Sequence, residues 1–531
     1  EFTADLKKKD GEKVEISNEE EASKIEKELK EDDFSVVNVK KSQRKRKTPK
    51  PFKTSTLQRA ASNVFGYTAR RTMSVAQKLF EKGHITYHRT DSLNLSPAFV
   101  KSARDYLKGE LGDKFIPEKA KAFKTKSKGA QEAHEAVRPT DIKNSPKKLK
   151  LTEDEQKLYS LIWQRSLECQ SVPAVYDRTR IDIQSKKGYE LRANGSIITF
   201  KGWLKIGEEL GIGASTGELT ELPEVNKGAD LEAKEVRKDQ HFTQPPARYS
   251  DATLIKKLEE LGIGRPSTYA PTISTIQSRK YIVKDGRYFV PEDVAYVVTD
   301  LLVEHFPQIV DYDFTAEMED DLDAVAHEGK DWHKVIKEFY EPFEKKLEKK
   351  EEELDKREVT TLEETDKTCP KCKKNKLVVK LGKYGKFLSC SGYPDCDYAE
   401  PMEEDKVFDD DGNEIKDFGP CDKCEDGRMI IKQGRYGKFL ACNNYPDCKN
   451  TKPYLDKIGI DCPKCKDGEI VKKKAKGREF FGCSNYPDCD WSSWKDPRED
   501  PSVLEKNLED KSENKGKSKK TKKAKKKASK K

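Results

Sequence analysis

Between Cys369 and Cys489 one spacing occurs three times: Cys369, Cys372, Cys390 and Cys396, then Cys421, Cys424, Cys442 and Cys448, then Cys462, Cys465, Cys483 and Cys489. Each tetrad reads C-x2-C-x17-C-x5-C. Segments this short cannot close an apolar core, so a bound metal must take the place of one. Four thiolates suit tetrahedral zinc, and the spacing therefore predicts three small four-cysteine zinc ribbons with one structural Zn2+ each; iron is the less favoured alternative. Twelve of the 13 cysteines fall in these tetrads, a use of thiols that suits a reducing compartment. Cys169, in LIWQRSLECQ, is predicted to be an ordinary core residue.

Composition limits the rest. A chain of 531 residues, 38% charged and 34% hydrophobic, is long enough for several domains but exposes much surface, which predicts a modular α+β protein. The net charge of +9 is concentrated at one end: Lys515 to Lys531 holds 11 Lys and no acid, leaving 9 − 11 = −2 for the remainder. Residues 497–531 are expected to be a disordered basic tail that binds phosphates in a salt-sensitive way, or a solvated tail with no partner. No window approaches the roughly 18 apolar residues of a membrane span, and EFTADLKKKDGEK has neither a signal-peptide core nor a transit pattern, so an intracellular, cytoplasmic protein is expected.

Periodicity divides the chain further. Residues 1–47 read as strand, turn and short helix, with Phe34 to Val39 as a strand and Ser42 to Lys50 as a basic connector. Residues 48–172 are mostly helical, and residues 173–246 favour strands such as Thr179–Ile183 and Ser196–Phe200. In 247–358 the order helix, helix, hairpin at Asp285-Gly286, helix suggests a winged-helix unit; a long charged helix from Asp331 to Lys356 then leads into a polar linker, Thr360 to Lys367. The ribbons should occupy 369–400, 421–452 and 462–496. Between the second and third Cys of each, basic and aromatic residues interleave, as in Lys383-Tyr384-Gly385-Lys386-Phe387, Arg435-Tyr436-Gly437-Lys438-Phe439 and Arg478-Glu479-Phe480-Phe481. Such faces stack unpaired bases and neutralise phosphates, although one aromatic per module could instead cover the metal.

The chemistry is expected near Ile85-Thr86-Tyr87-His88-Arg89-Thr90-Asp91-Ser92. Ser74 to Gly83 reads as a helix with a Ser cap and a Gly stop, which leaves Tyr87 on an extended segment beside a fixed cation. A phenol of ordinary pKa, about 10, attacks poorly unless cations or a metal stabilise its anion. Packing alone would account for most such tyrosines.

The motifs narrow this. PFKTSTLQRAAS at 51–62, GHITYHRTDS at 83–92, QEAHEAVRPTD at 131–141 and GIGRPSTYAPTISTIQSR at 262–279 resemble, in order, blocks of the bacterial type IA DNA topoisomerases. The resemblance covers most of residues 1–350 and continues into the cysteine repeats. It implies a toroidal core, with a β-rich arch (1–47 and 173–246) and helical domains (48–172 and 247–358), and an ATP-independent activity that relaxes negatively supercoiled DNA. The absence of a GxxxxGK[ST] loop agrees with that. Tyr87 would form a 5′-phosphotyrosyl link to one cut strand, with Arg89 and His134 completing the catalytic set. Asp91, Arg138, Arg265, Thr268 and Arg279 would contact DNA.

Plainer roles stand beside these: an Arg89–Asp91 salt bridge, a structural hydrogen bond for His134, an ion pair for Arg138. His88 stands where an apolar residue is expected in relatives. The family's Mg2+ is held by an N-terminal DxDxxG-type cluster, and no such cluster precedes Tyr87. Asp409 to Glu414 reads as a solvated turn. The chain is therefore expected to lack that metal domain, and the alternative to a topoisomerase is a non-catalytic single-stranded-DNA-binding remnant; a zinc-ribbon protein of transcription is disfavoured by the tyrosine block. A monomer, nucleoid association and an RNA polymerase contact through the C-terminal modules complete the expectations.

Overall fold

The computed structural model describes residues 1–504 except 125–133, 211–218, 356–358, 383–384, 404–405, 408–413, 416, 435–436 and 476–477. The Lys-rich tail, the acidic turn at 409–413 and the Lys383-Tyr384 and Arg435-Tyr436 pairs lie outside the described residues. The chain forms two compact units, Glu1–Thr275 with Asp311–Val335, and Ile276–Val310 with Ile336–Lys531. This division runs through the region 247–358.

In the first unit, β1 (Asp5–Lys9) and β2 (Glu12–Lys13) are joined by Asp10 and Gly11, both at positive φ, as a two-residue hairpin turn requires. They edge a six-stranded antiparallel sheet of order β2-β1-β5-β4-β3-β6, with β3 (Phe34–Arg46), β4 (Ala174–Ser185), β5 (Tyr189–Phe200) and β6 (Asp230–Leu231). Residues far apart in sequence thus share one sheet. Helix α1 (Glu19–Lys30), capped by the Asn18 side chain, closes its core by setting Leu29 against Phe34, Val36, Ile181, Ile183, Tyr189 and Ala193. The basic stretch expected to be a connector from Ser42 is instead strand as far as Arg46, in continuous register with β4 from Asn38↔Asp182 to Arg46↔Ala174. Cross-strand backbone bonds hold it where side-chain burial does not.

The helical part of this unit comprises α2 (Thr54–Phe65), α3 (Ala69–Glu81), α4 (Pro97–Leu111), α5 (Glu153–Glu168) and α6 (Leu204–Leu210). Leu57, Leu79, Ile85, Leu107, Leu158 and Ile162 meet in its core. Helix α3 begins at Ala69, not at Ser74: Thr68 accepts from the Arg71 N–H, and the Asp251 carboxylate, from a remote segment, accepts from the Ala69 N–H at 3.0 Å. The unit also holds α7 (Asp251–Glu260), the start of α8 (Tyr269–Ser278) and α11 (Tyr312–His327).

The second unit contains the hairpin of β7 (Ile282–Asp285) and β8 (Tyr288–Pro291), α9 (Asp293–His305), α10 (Pro307–Val310) and most of α12 (Trp332–Glu353). The hairpin falls in the second unit and α7 in the first. Three small antiparallel sheets follow. β9 (Thr361–Thr368), β10 (Lys376–Gly382), β11 (Gly385–Cys390) and β12 (Ala399–Pro401) form the first; β13 (Met429–Gly434), β14 (Gly437–Cys442) and β15 (Thr451–Pro453) the second; β16 (Asp456–Asp461), β17 (Glu469–Ala475), β18 (Arg478–Cys483) and β19 (Ser492–Ser493) the third. The segment expected to be a polar linker is β9, paired along β10 as an edge strand where polar side chains are tolerated. Among the described residues no helix is long and apolar enough to cross a membrane.

Candidate active site and metal centres

Gly83, at φ +71°, ends α3; its N–H donates to the Phe80 carbonyl and the His84 N–H to Leu79. The chain then runs extended between two other segments. The Thr86 N–H donates to the Arg138 carbonyl at 2.9 Å, and the Thr86 hydroxyl donates to Ala136 O and accepts from the Arg138 N–H. On the other side the Thr54 N–H donates to Thr90 O, while its hydroxyl donates to His88 O at 2.8 Å and accepts from the Thr90 N–H at 2.9 Å. Phe52 and Val137 are bridged in turn. Three sequence blocks, 51–62, 83–92 and 134–141, therefore lock together through backbone and threonine hydrogen bonds.

Within this layer burial alternates. Thr90 and His88 point inward, whereas Tyr87 and Arg89 are exposed, Tyr87 at 40%. The Tyr87 ring is held by Phe80 (5.3 Å), His88 (5.3 Å) and His134 (5.6 Å). Arg89 makes no hydrogen bond or ion pair with a described residue, and the alternative salt bridge to Asp91 is not formed. His134 makes no hydrogen bond with a described residue either; its observed role is the ring contact. His88 is fully buried, neither ring nitrogen has a hydrogen-bond partner among the described residues, and burial followed by the Arg89 charge pushes its imidazole down to about 4.

Arg138 takes its ion-pair alternative. Its Nε and Nη2 donate to the two Glu135 oxygens at 2.7 and 3.0 Å, Nη1 donates to the Pro139 carbonyl, and the guanidinium lies over the Phe99 ring. Arg265 is similarly engaged: Nε donates to Asp323 at 3.0 Å, Nη2 lies 3.1 Å from Asp320, and Nη1 donates to the Gly262 and Gly264 carbonyls. Burial works against its charge, and the Asp323 hydrogen bond, with Glu319 and Asp320, outweighs it. Thr268 is exposed, its hydroxyl accepting from the Arg265 N–H. Arg279 is exposed and belongs to the second unit. Tyr87 and His134 come together with Arg89 two residues along the same segment, and the turn of Arg265 and Thr268 leads into Tyr269, whose phenol is pushed up by burial and, among smaller causes, by the Asp91 charge.

In the second unit each Cys tetrad converges. The sulfurs of Cys369 and Cys396, Cys421 and Cys448, and Cys462 and Cys489 are 3.7 Å apart, and all four in each set lie within 4.8 Å of one another. A tetrahedral Zn2+ with Zn–S near 2.3 Å requires sulfurs about 3.8 Å apart, so the tetrads fit zinc. Backbone N–H groups of Gly392, Lys423, Asn444 and Asn485 donate to Cys390, Cys421, Cys442 and Cys483, as donors to a metal-bound thiolate would. Cys169, outside the tetrads, is wholly buried, and burial pushes its thiol up to about 12.

A sequence profile of the DNA topoisomerase family matches residues 1–337, and one of the topoisomerase DNA-binding C4 zinc finger matches 366–405, 419–457 and 459–498. The chain belongs to the bacterial type IA DNA topoisomerase family. It is 37% identical over 461 residues to DNA topoisomerase 1 of Campylobacter jejuni, covering 83% of this chain and 64% of that protein. To DNA topoisomerase 1 of Rickettsia bellii it is 38% identical over 485 residues, covering 84% and 60%. Full-length topoisomerase I from Thermotoga maritima is similar in structure, with a TM-score of 0.61 and 32% identity, covering 78% of this chain and 66% of that one. The chain thus spans less than two thirds of the length of these relatives.

The topoisomerase family implies magnesium, a hard cation that takes oxygen ligands. Among the described residues the only clusters of three or more metal-ligating groups are the sulfur tetrads, so the donors described fit zinc and do not fit magnesium. Sequence reasoning missed several residues of interest. Thr54 and Thr86 hold the tyrosine segment, and Tyr393, Tyr445 and Tyr486 are 50%, 62% and 68% exposed at equivalent places in the ribbons. Lys432 and Lys473 stand 5.5 Å from the Tyr445 and Tyr486 rings. The signal was present as a Tyr-Pro-Asp-Cys repeat. Phe481, by contrast, is buried with Cys462, Cys483 and Cys489 and covers the metal centre.

Proposed function

We propose that this chain cuts and rejoins one strand of DNA through Tyr87, as an ATP-independent topoisomerase that relaxes negatively supercoiled DNA. The observation that carries this is the exposed pairing of Tyr87 with an Arg89 that no described residue engages, on a segment fixed from both sides. The Tyr87 Oη attacks a backbone phosphorus, the P–O3′ bond breaks, and the phenolic proton is transferred to the departing 3′-oxygen. A 5′-phosphotyrosyl ester remains. Attack by the 3′-hydroxyl reverses each change, so the number of phosphoester bonds is conserved and no nucleotide need be hydrolysed. Arg89 binds the scissile phosphate and its transition-state charge with a planar guanidinium, and His134, Phe80 and His88 fix the ring that presents the nucleophile.

The exposed tyrosines of the ribbons suit stacking of unpaired bases, so single-stranded DNA is the ligand proposed for them. A monomer and an RNA polymerase contact remain part of this reading on family grounds alone. Tyr87→Phe removes the attacking oxygen and should abolish covalent capture of single-stranded DNA while affinity stays nearly constant. Undiminished adducts in that variant would reject the assignment. Arg89→Lys should lower cleavage and rejoining further than binding, because charge is kept and bidentate geometry lost.

A second reading has one observation behind it. The exposed ribbon tyrosines, two of them with Lys432 and Lys473 beside their rings, also suit single-strand binding without strand passage. Magnesium-dependent relaxation of a supercoiled plasmid by this chain would remove that reading.

A further inference from the structure

The three ribbons share one ligand spacing and differ in what covers the fourth ligand. Their correspondence is fixed by the backbone. The N–H of the third Cys donates to the carbonyl two residues beyond the fourth, Cys390 to Tyr398 at 2.9 Å, Cys442 to Asn450 at 3.0 Å and Cys483 to Trp491 at 3.1 Å. In the first and third ribbons that residue is aromatic and packs against the sulfurs, Tyr398 partly buried and Trp491 fully. In the second it is an amide. Asn450 is buried, and its Nδ2 donates to the Cys421 sulfur at 3.2 Å and to Asp422, bonds that commit the side chain to the first ligand.

A second cover is missing at the same place. Lys371 pairs with Asp397, and Lys464 with Asp490, so that an ion pair ties the CxxC turn to the residue after the fourth Cys. The equivalent residues of the second ribbon are Lys423 and Lys449, two cations that cannot pair. The apolar cluster is thinner as well. Leu377, Val379 and Leu388 are buried with the first set of sulfurs and Ile470, Phe481 and Trp491 with the third, but among the described residues only Met429 is buried with the second.

The consequence falls on Cys448. Cys396 and Cys489 are 6% and 4% exposed, whereas Cys448 is only partly buried. No N–H of a described residue donates to its sulfur, and Lys423 and Lys449 make this end of the ribbon electropositive. Accessible thiolates in such surroundings are the ones oxidants reach first. The Cys421 sulfur lies 3.7 Å from that of Cys448, close enough to resolve an oxidised product.

We propose that the second ribbon is a peroxide-sensitive site, in which Cys448 is oxidised and Cys421 completes a disulfide with it while the first and third ribbons stay reduced. The Cys448 thiolate attacks one oxygen of hydrogen peroxide, the O–O bond breaks, and the departing hydroxide takes up a proton to become water. The Cys421 thiolate then attacks the sulfenic sulfur, the S–O bond breaks, and a second hydroxide takes up a proton. Two thiolates lose two electrons and the peroxide gains them. With two of four ligands gone the ribbon no longer holds its metal, and a dithiol reductant with added zinc restores it. This rests on the ribbons alone and stands whether or not Tyr87 is the nucleophile.

The test uses the zinc-loaded full chain, graded hydrogen peroxide and a coloured zinc indicator, with oxidised cysteines located by alkylation and peptide mass spectrometry. One zinc ion per chain should leave in an early phase, with Cys421 and Cys448 joined and the cysteines of the other two ribbons still open to alkylation. K449D/N450W, which gives the second ribbon the residues of the third, should lose that phase. D397K/Y398N, which gives the first ribbon the residues of the second, should raise it to two ions, and this keeps the question open to measurement even if K449D/N450W folds poorly. Release of all three ions at one rate, early oxidation confined to the first or third ribbon, an early phase unchanged in both variants, or equally fast release without peroxide would each overturn the proposal.

Discussion

The layer around Tyr87 and the three ribbons place their working side chains by opposite means. In the ribbons, the four sulfurs of each site come from one short stretch of chain, and a metal held there would supply most of what a larger core supplies elsewhere. Around Tyr87, segments from 52, 84 and 136 onward meet over Leu57, Leu79 and Ile85, and no single segment contains the site. Local ligands make a module that repeats by copying. A site assembled from remote strands needs the whole unit to be folded before it exists.

The largest effect expected of this contrast comes from removing metal. Elemental analysis should find three zinc ions per chain, and because each structural zinc contributes on the order of 10 kcal/mol, chelation should unfold the ribbons. Limited proteolysis should then cut within 369–496 while the helical part of the first unit stays protected. Loss of protection around Tyr87 on chelation would break the contrast.

Next comes core truncation. Leu79→Ala, at a wholly buried position, should cost about 2–5 kcal/mol, measured by urea unfolding. Leu388→Ala in the zinc-loaded first ribbon should cost less, because the metal and not the leucine closes that core. Equal costs would mean that the ribbons depend on apolar packing as the first unit does.

His88 sharpens the comparison through pH. Its imidazole titrates near 6.5 when unfolded and near 4 when folded, so the unfolded chain binds more protons between those values. The folded state is fully favoured above pH about 6.5, and stability should fall by up to roughly 3 kcal/mol as pH drops toward 4. His88→Met should remove that fall and leave the ribbons unaffected. An identical pH profile in the variant would place the acid sensitivity elsewhere. The smallest change is at the turn: Gly83→Ala, at φ +71°, should cost about 1 kcal/mol in thermal unfolding, and no loss would show that the turn relaxes.

Much of the site was legible because it was local. The Cys spacing and the Gly83 stop are short local patterns, and the tyrosine motifs were recognised by their order along the chain. The misreadings share a cause. Ser74 looked like a helix cap because the carboxylate that helps start α3, Asp251, lies far along the chain. Ser42–Arg46 and Thr361–Thr368 looked like polar connectors because their pairing partners bury backbone hydrogen bonds and not side chains. Arg138 was open between a DNA contact and an ion pair, and nothing local to Arg265 announced the carboxylates of Asp320 and Asp323 that lie beside it.

By itself the sequence determined the three cysteine tetrads and the family, since ligand spacing and motif order survive without any tertiary contact. Only the tertiary structure decided which cations are left unengaged. Whether Arg89, Lys40, Arg44 and Arg178 face solvent while Arg138 and Arg265 face carboxylates depends on which remote segments the sheet and helices bring alongside, and pairing at that range is not written in any local pattern.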